Sequence, residues 1–504
     1  MISFPHSIAR SSEWSWLAGT PRYDSGMDGQ AKDTKIPSDR KSVELFAGGG
    51  GLAMAVHRAG FRPVLFNEFN KRACETLVAN AGKTLGDDGL VVTQDTQPVP
   101  PAPGEPAPLY PGDVRDLDLT KFAGEVDVLA GGPPCQPFSA GGVAKGYEDK
   151  RNMFPAVFTA VRDMRPKVVL CENVRGLLRD SFSDYFAYIL NELRLPFVER
   201  KDSDTWQRHN QQLLDRFGDL GVTVEDPKAV RARKGPLPED KDLGGLTEYD
   251  DDDEHYRVLH FEVNAADYGV PQVRNRVIIV AFRADLGVDV VRDFLRRVRP
   301  THSETALHRS MLVDGKGYWA RHPEVPDYVK ARVKARVTKG NLEDDGRDPW
   351  LTLRDAIKGF GRDPELLALP DVDLSRLEEK HDFGGMLFPG HIGWPGARIY
   401  KGHTPNEFDR PAKTVKAGVH GVPGGESVML LDKRVPDPTS PDGWRHLHRY
   451  MTVRETARVM TFPDEWVGSG PRGEQMRQLG NAVPVALGQF FAKAIKDALD
   501  AVGK

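Results

Sequence analysis

One cysteine stands where neither a helix interior nor a strand interior fits. Residues 131–142 read GGPPCQPFSAGG, with two prolines before Cys135 and one just beyond it. Prolines fix the backbone and remove donors, so they present the thiol on a rigid loop rather than in a packed core. A thiol held that way is a candidate nucleophile for a covalent step. The plainer reading of a lone cysteine, a small buried hydrophobe, suits Cys74 and Cys171. Glu172 ends the next apolar run, so it lands on the same sheet edge as Cys135. Further on, residues 272–276 read QVRNR, and on a strand Gln272, Arg274 and Arg276 alternate onto one face. A row of surface ion pairs is the plainer, less favoured reading of those arginines.

A second set of residues suits a ligand. Residues 47–51 read AGGGG between a short apolar run and a helical pattern. Glycines there let backbone approach a ligand at a helix N-terminus, although a tight connection alone is as good an explanation. No lysine follows as in a triphosphate loop. Glu68 ends the next apolar run, and GDVRD at 112–116 stands where a third strand would end. Acids at two successive strand ends suit an adenosine-containing cofactor.

These residues need an α/β frame to meet. The run 43–46 reads as a strand, and Leu52, Ala55, Val56 and Ala59 mark one face of a helix stopped by Gly60. A strand at 63–66 and a helix over 71–80 follow. The runs 126–129, 168–171 and 277–280 are short, apolar and β-branched, as buried parallel strands are. Residues 152–164 suit a crossover helix. The expected fold is α/β, a doubly wound sheet that places Cys135 and Glu172 at its carboxyl edge.

Domain limits follow from composition. Residues 1–38 read as a flexible lead-in, and 39–282 as the catalytic domain, with a proline-rich insertion at 81–112 and a charged one at 200–256. The run Asp250 to Glu254 reads as a solvated loop. Residues 283–472 form a second, smaller and irregular domain, and 473–504 return as a helix that completes the first.

The chain has 504 residues, enough for two or three domains. Its three cysteines include no CxxC pair, so neither a disulfide framework nor a metal site is expected, and the cytoplasm is the expected compartment. No membrane span or signal-peptide core is apparent. A net charge of −4 read alone argues against a nucleic-acid partner. However, residues 235–256 hold nine acids and one lysine, whereas 291–340 hold twelve basic residues against five acidic ones. The average hides opposite regions, and the acidic one is expected to point away from any duplex.

Taken together and in this order, VELFAGGGG (43–51), Glu68, GDVRD, GGPPCQPFSAGG, ENVRGL (172–177), QVRNR, RPAKTVKAG (410–418) and QLGNAVPV (478–485) resemble the DNA (cytosine-5) methyltransferases, bacterial type. RYMTVRETARVMTFPDEW (449–466) also resembles the stretch before the family's last motif. The likeness covers most of residues 41–500. It implies a Rossmann-like methyltransferase sheet with a target-recognition domain, and S-adenosyl-L-methionine as cofactor. It further implies that Cys135 adds to carbon 6 of a flipped cytosine while Glu172 protonates the neighbouring ring nitrogen. Arg274 and Arg276 become the local positive charges. Phe46, Gly48, Gly50, Glu68, Asp113, Val114, Pro134, Asn481 and Val483 become cofactor contacts, although core packing suits both valines. Ser139, Lys145 and Arg151 become phosphate contacts, or plain surface groups. The implied partner is double-stranded DNA, bound by a monomer in a restriction–modification or phage-defence setting. A tRNA cytosine-5 methyltransferase and a non-catalytic DNA-binding relative are the alternatives. The first generally lacks so long a recognition segment, and the second has typically lost the cysteine or the acid.

Overall fold

Alternating burial along two neighbouring strands sets the frame. Val128, Ala130, Val168 and Leu170 face one apolar cluster, while Leu129, Val169 and Cys171 face another on the opposite side. In this computed structural model the described residues are 40–82, 84–85, 88–134, 152–220, 251–313, 317–338, 342–362, 365–399, 401–402, 404–417 and 427–504.

The sheet has eight strands. They are β1 (Lys41–Leu45), β2 (Arg62–Asn67), β3 (Leu90–Val92), β4 (Ala107–Tyr110), β5 (Val128–Gly131), β6 (Val168–Val174), β7 (Tyr256–Asn264) and β8 (Asn275–Arg283). Their order is β3-β4-β2-β1-β5-β6-β8-β7, and all are parallel except β8, which runs antiparallel to both β6 and β7. The chain leaves β1 toward one edge and comes back to β5 on the other side. The crevice beyond the carboxyl ends of β1 and β5 is therefore the topological switch point, where ligands of such sheets bind.

Helices cover both faces. One carries α3 (Phe154–Met164), α4 (Ser183–Arg194) and α5 (Trp206–Asp219). The other carries α1 (Gly51–Arg58), α6 (Val288–Arg297) and α13 (Val485–Ala501). A methyl group on Gly51 would lie 2.5 Å from the carbonyl oxygen of Val483, so only glycine lets the start of α1 meet the start of α13. α2 (Lys71–Ala79) lies beside β2 and joins a third cluster.

That third cluster ties the sheet to the later chain. Met54, Phe66, Cys74 and Leu77 pack with Leu353, Phe388, Val415, Met429, Met460 and Trp466. The later chain contributes α7 (Glu304–Leu312), α8 (Tyr318–Arg321), α9 (Asp327–Val337), α10 (Leu353–Lys358), α11 (Val453–Val459) and α12 (Arg472–Asn481). It also has the two-residue pair β9 (His302–Ser303) and β10 (Asp348–Pro349), and an antiparallel ribbon of β11 (Val428–Pro436) and β12 (Trp444–Tyr450).

Several sequence expectations change. The proline-rich stretch 81–112 is not merely a surface insertion, because β3 and β4 within it extend the sheet. The run 277–280 is a buried strand but an antiparallel one, paired with a β7 that the acidic run masks in sequence. Residues 283–298 belong to the sheet's own core through Val290, Val291, Phe294 and Leu295, and 283–408 holds regular helices. The end of the acidic run is not simply solvated: Asp251 pairs with Arg257 and Asp253 with Arg165. Many of the basic residues in 291–340 are also engaged, with Arg296 and Arg297 on Asp293, Arg321 on Asp355 and Arg336 on Glu407. Among the described residues no helix is long and apolar enough to cross a membrane.

Candidate active site

At the end of β1 the backbone turns in a way few residues tolerate. Phe46 adopts φ 56°, and Gly48 and Gly50 follow at φ 56° and 89°. A non-glycine residue in that region is strained, and such strain gathers at ligand sites. The amide of Gly48 donates to Oε2 of Glu68 at 2.7 Å, while Oε1 accepts from the amide of Asn70 at 2.6 Å. Burial pushes the Glu68 carboxyl up, against the pull of these amides. The glutamate thus fastens the end of β2 to the glycine turn after β1. Phe69, beside it, is 73% exposed.

The other walls arrive from distant segments. Asn67 donates to the carbonyl of Gly112 at 2.9 Å, which brings the end of β4 alongside. Asp113 there accepts from the amide and Nε of Arg115 at 3.0 and 2.9 Å, and this pairing holds its carboxyl below the usual range. Val114 is buried. Asn481 is exposed at the end of α12, and Val483 is buried against the sheet helices. Trp466 donates from Nε1 to the carbonyl of Gly49 at 3.1 Å, and Gln478 accepts from Thr76 at 2.7 Å. Sequence reasoning does not single out these two buttresses. Their signal is the matching stretch 449–466 and QLG at 478–480, which marks a motif without showing that it supports the glycine turn.

The second half of the site lies at the ends of β5 and β6. Glu172 is buried, and Nε of Arg276 stands 2.5 Å from its Oε1. The side chain of Asn173 donates to the carbonyl of Pro133 at 3.3 Å, tying the segment that leads to Cys135 against Glu172. Pro134 is exposed. Cys135, Ser139, Lys145 and Arg151 lie outside the described residues. The described chain resumes at Asn152, whose side chain bonds to the Tyr185 hydroxyl.

Arg274 lands differently from Arg276. It is buried, and its guanidinium faces main-chain carbonyls of Val415, Gly480 and Ala482 rather than Glu172. A further acid gives no sign of itself in the sequence. Glu44 in β1 is 2% exposed, Oε1 has no hydrogen-bond partner among the described residues, and burial pushes its carboxyl up to about 8. A glutamate inside an apolar run looks ordinary, because its burial depends on the strands that pair on either side of it.

Known proteins resemble this chain along most of its length. The family model of C-5 cytosine-specific DNA methylases matches residues 40–98, 108–195, 249–344 and 398–497. The Type II methyltransferase M.NgoMIV of Neisseria gonorrhoeae is 34% identical over 459 residues, which is 90% of this chain and 98% of that protein. The Type II methyltransferase M.Eco47II of Escherichia coli is 28% identical over 475 residues, 94% of this chain and 82% of that protein. The DNA (cytosine-5-)-methyltransferase M.ApeKI of Aeropyrum pernix is 26% identical over 520 residues, 92% of this chain and 99% of that protein. Both halves of the site, the glycine turn with Glu68 and the Glu172–Arg276 pair, fall inside the matched segments. The chain therefore belongs to the C-5 cytosine-specific DNA methylase family, whose members are DNA (cytosine-5-)-methyltransferases.

Proposed function

We propose that this DNA cytosine-5 methyltransferase works through a transient bond between Cys135 and carbon 6 of a cytosine flipped out of duplex DNA. The observation that carries the reading is the Arg276–Glu172 pair, held beside the Pro133–Pro134 segment that leads to the cysteine.

Carbon 5 of cytosine is a weak nucleophile while the ring is aromatic. Addition of the Cys135 thiolate to carbon 6 breaks the carbon 5–carbon 6 double bond. Glu172 delivers a proton to the ring nitrogen as the electrons move, which leaves an enamine whose carbon 5 attacks. After methylation, loss of the carbon-5 proton expels the thiolate, and the ring nitrogen returns its proton to Glu172. A free thiol titrates at about 8.5, so positive charge near Cys135 favours the reactive thiolate. Arg276 supplies such a charge and orients the acid. The target atom is shielded in a stacked duplex, so the base must leave the helix.

S-adenosyl-L-methionine supplies the electrophilic methyl group. The crevice at the ends of β1, β2 and β4 suits it: a methyl group placed on Gly48 would meet nothing within 4 Å, so open space lies over the turn. Phe46, Gly48, Gly50 and Pro134 would hold the methionine end. Glu68 would take the ribose hydroxyls, and Asp113 and Val114 the adenine, with the exposed Phe69 ring available to cover it. Asn481 and Val483 would close the pocket. Ser139, Lys145 and Arg151 would contact DNA phosphates, and the chain beyond residue 298 that does not pack on the sheet would read the target. A restriction–modification setting fits the Type II names of the relatives, and a phage-defence role and action as a monomer belong to the same proposal.

The test is labelled methyl transfer to duplex DNA and to tRNA, with Cys135→Ala alongside. Transfer to DNA alone, lost in the variant, is expected. A duplex carrying 5-fluorocytosine at the target should trap a covalent complex. Methylation that survives Cys135→Ala would overturn the mechanism. Bisulfite sequencing of DNA from expressing cells would give the site.

A further inference from the structure

Two arginines two residues apart hold two different things. Arg276 holds Glu172, whereas Arg274 holds backbone. Its Nη2 donates to the carbonyl of Gly480 at 2.7 Å and to that of Ala482 at 2.9 Å. Those carbonyls flank Asn481, so one nitrogen pins the main chain on both sides of that residue. Gly480 lies in the last turn of α12 and Ala482 is its C-cap, an end where carbonyls lack partners within the helix and a cation is favoured. Nη1 donates to the carbonyl of Val415 at 3.0 Å and reaches Oε1 of Gln272 at 3.4 Å. Gln272 is fully buried, and its side-chain amide contacts the Met460 sulfur at 3.1 Å. A methyl group on Gly480 would lie 2.5 Å from the amide nitrogen of Ala417, so the three segments meet with no spare room.

We infer that Arg274 is a positioning residue for the cofactor: it sets the Asn481–Val483 wall at a fixed place relative to Glu172. The inference rests on the reading that this wall lines the S-adenosyl-L-methionine pocket. Only a planar fork with several donors can serve carbonyls in such different directions, and a lysine ammonium is a point charge on a flexible stem. Arg274→Lys keeps the charge and loses the fork.

The experiment compares Arg274→Lys with Arg276→Lys in the full chain. Calorimetry reads the binding of S-adenosyl-L-methionine and of S-adenosylhomocysteine, and kinetics reads KM and kcat. Arg274→Lys should weaken cofactor binding tenfold or more, raising the cofactor KM by a similar factor with a smaller change in kcat at saturation. Arg276→Lys should do the reverse. A general loss of structure would instead lower DNA affinity, kcat and thermal stability together. Cofactor affinity within twofold of the unaltered protein in Arg274→Lys would overturn the inference, as would a fall confined to kcat. Should that variant not fold, Gly480→Ala keeps Arg274 but displaces the carbonyl it holds, and it should show the same selective loss. Unchanged cofactor affinity in Gly480→Ala would then overturn it. Failure of the unaltered protein to bind either cofactor form would instead overturn the cofactor reading beneath it.

Discussion

Nε of Arg276 stands 2.5 Å from Oε1 of Glu172, across two antiparallel strands whose register sets Glu172 opposite Ile278 and Val174 opposite Arg276. The guanidinium therefore reaches the carboxylate on a diagonal, from an inner strand that cannot slide without moving its whole buried face. Glu172→Gln keeps the shape and removes the proton. It should lower kcat about 10²–10⁴-fold, the range for a lost general acid. Cofactor affinity, read by calorimetry, should stay within twofold. A kcat near that of the unaltered enzyme would remove Glu172 from the proton path.

Glu68 holds both the glycine turn and the cap of α2. Replacing it with alanine should weaken cofactor binding by at least tenfold, since hydrogen bonds to a charged group are worth about 1.5–3 kcal/mol. Titration calorimetry checks this. The variant saturated with cofactor should retain a larger share of its kcat than of its affinity.

Glu44 gives a pH dependence. Its carboxyl titrates near 8 in the fold and near 4.5 when exposed. Between those values the folded protein holds a proton that the unfolded chain has released, so stability falls as pH rises. The slope from this group approaches about 1.4 kcal/mol per pH unit. Glu44→Gln should flatten the urea-unfolding stability measured from pH 5 to pH 8. An identical slope in the variant would show that Glu44 is ionised in the fold.

Arg458 is fully buried and gives hydrogen bonds to the carbonyls of Ala356, Ile357 and Leu367 as well as to Asp464. Arg458→Ala strips the end of α10 and leaves Asp464 with its charge. The expected loss is about 3–5 kcal/mol of unfolding free energy, the range for breaking a buried pair from one side. Denaturant midpoints measure it.

Some of this is legible in the sequence and some is not, for physical reasons. The runs 43–46, 63–66 and 168–171 announce strands because they are apolar, β-branched and bounded by turn residues. The same signal at 277–280 tells burial but not direction, which depends on a neighbour, β7, that begins just after an acidic run. β3 and β4 have three and four residues, and Pro108 lies inside β4, so no periodicity has room to show. Alternation would set Arg274 and Arg276 on one face of a strand, but β8 begins only at Asn275, and the two side chains meet different partners. It says nothing of what faces them, because Gly480 and Ala482 come from more than 200 residues away. Burial of Glu44 is invisible for a similar reason: β1 becomes an inner strand only when β2 and β5 pair on either side of it.

The packing of α13 on α1 also bears on synthesis. A ribosome makes the glycine turn early, yet the wall formed by Asn481 and Val483 emerges some 430 residues later. Domains tend to fold as units while the chain is made. Here the part of α1 that α13 covers stays exposed until α13 itself has emerged. On the cofactor reading proposed above, a nascent chain lacks this wall of the pocket until residues 481–485 have emerged, and methyl transfer is expected only after that point. Chains halted short of residue 485 should expose apolar surface along α1 and become clients for chaperones rather than partly active enzymes.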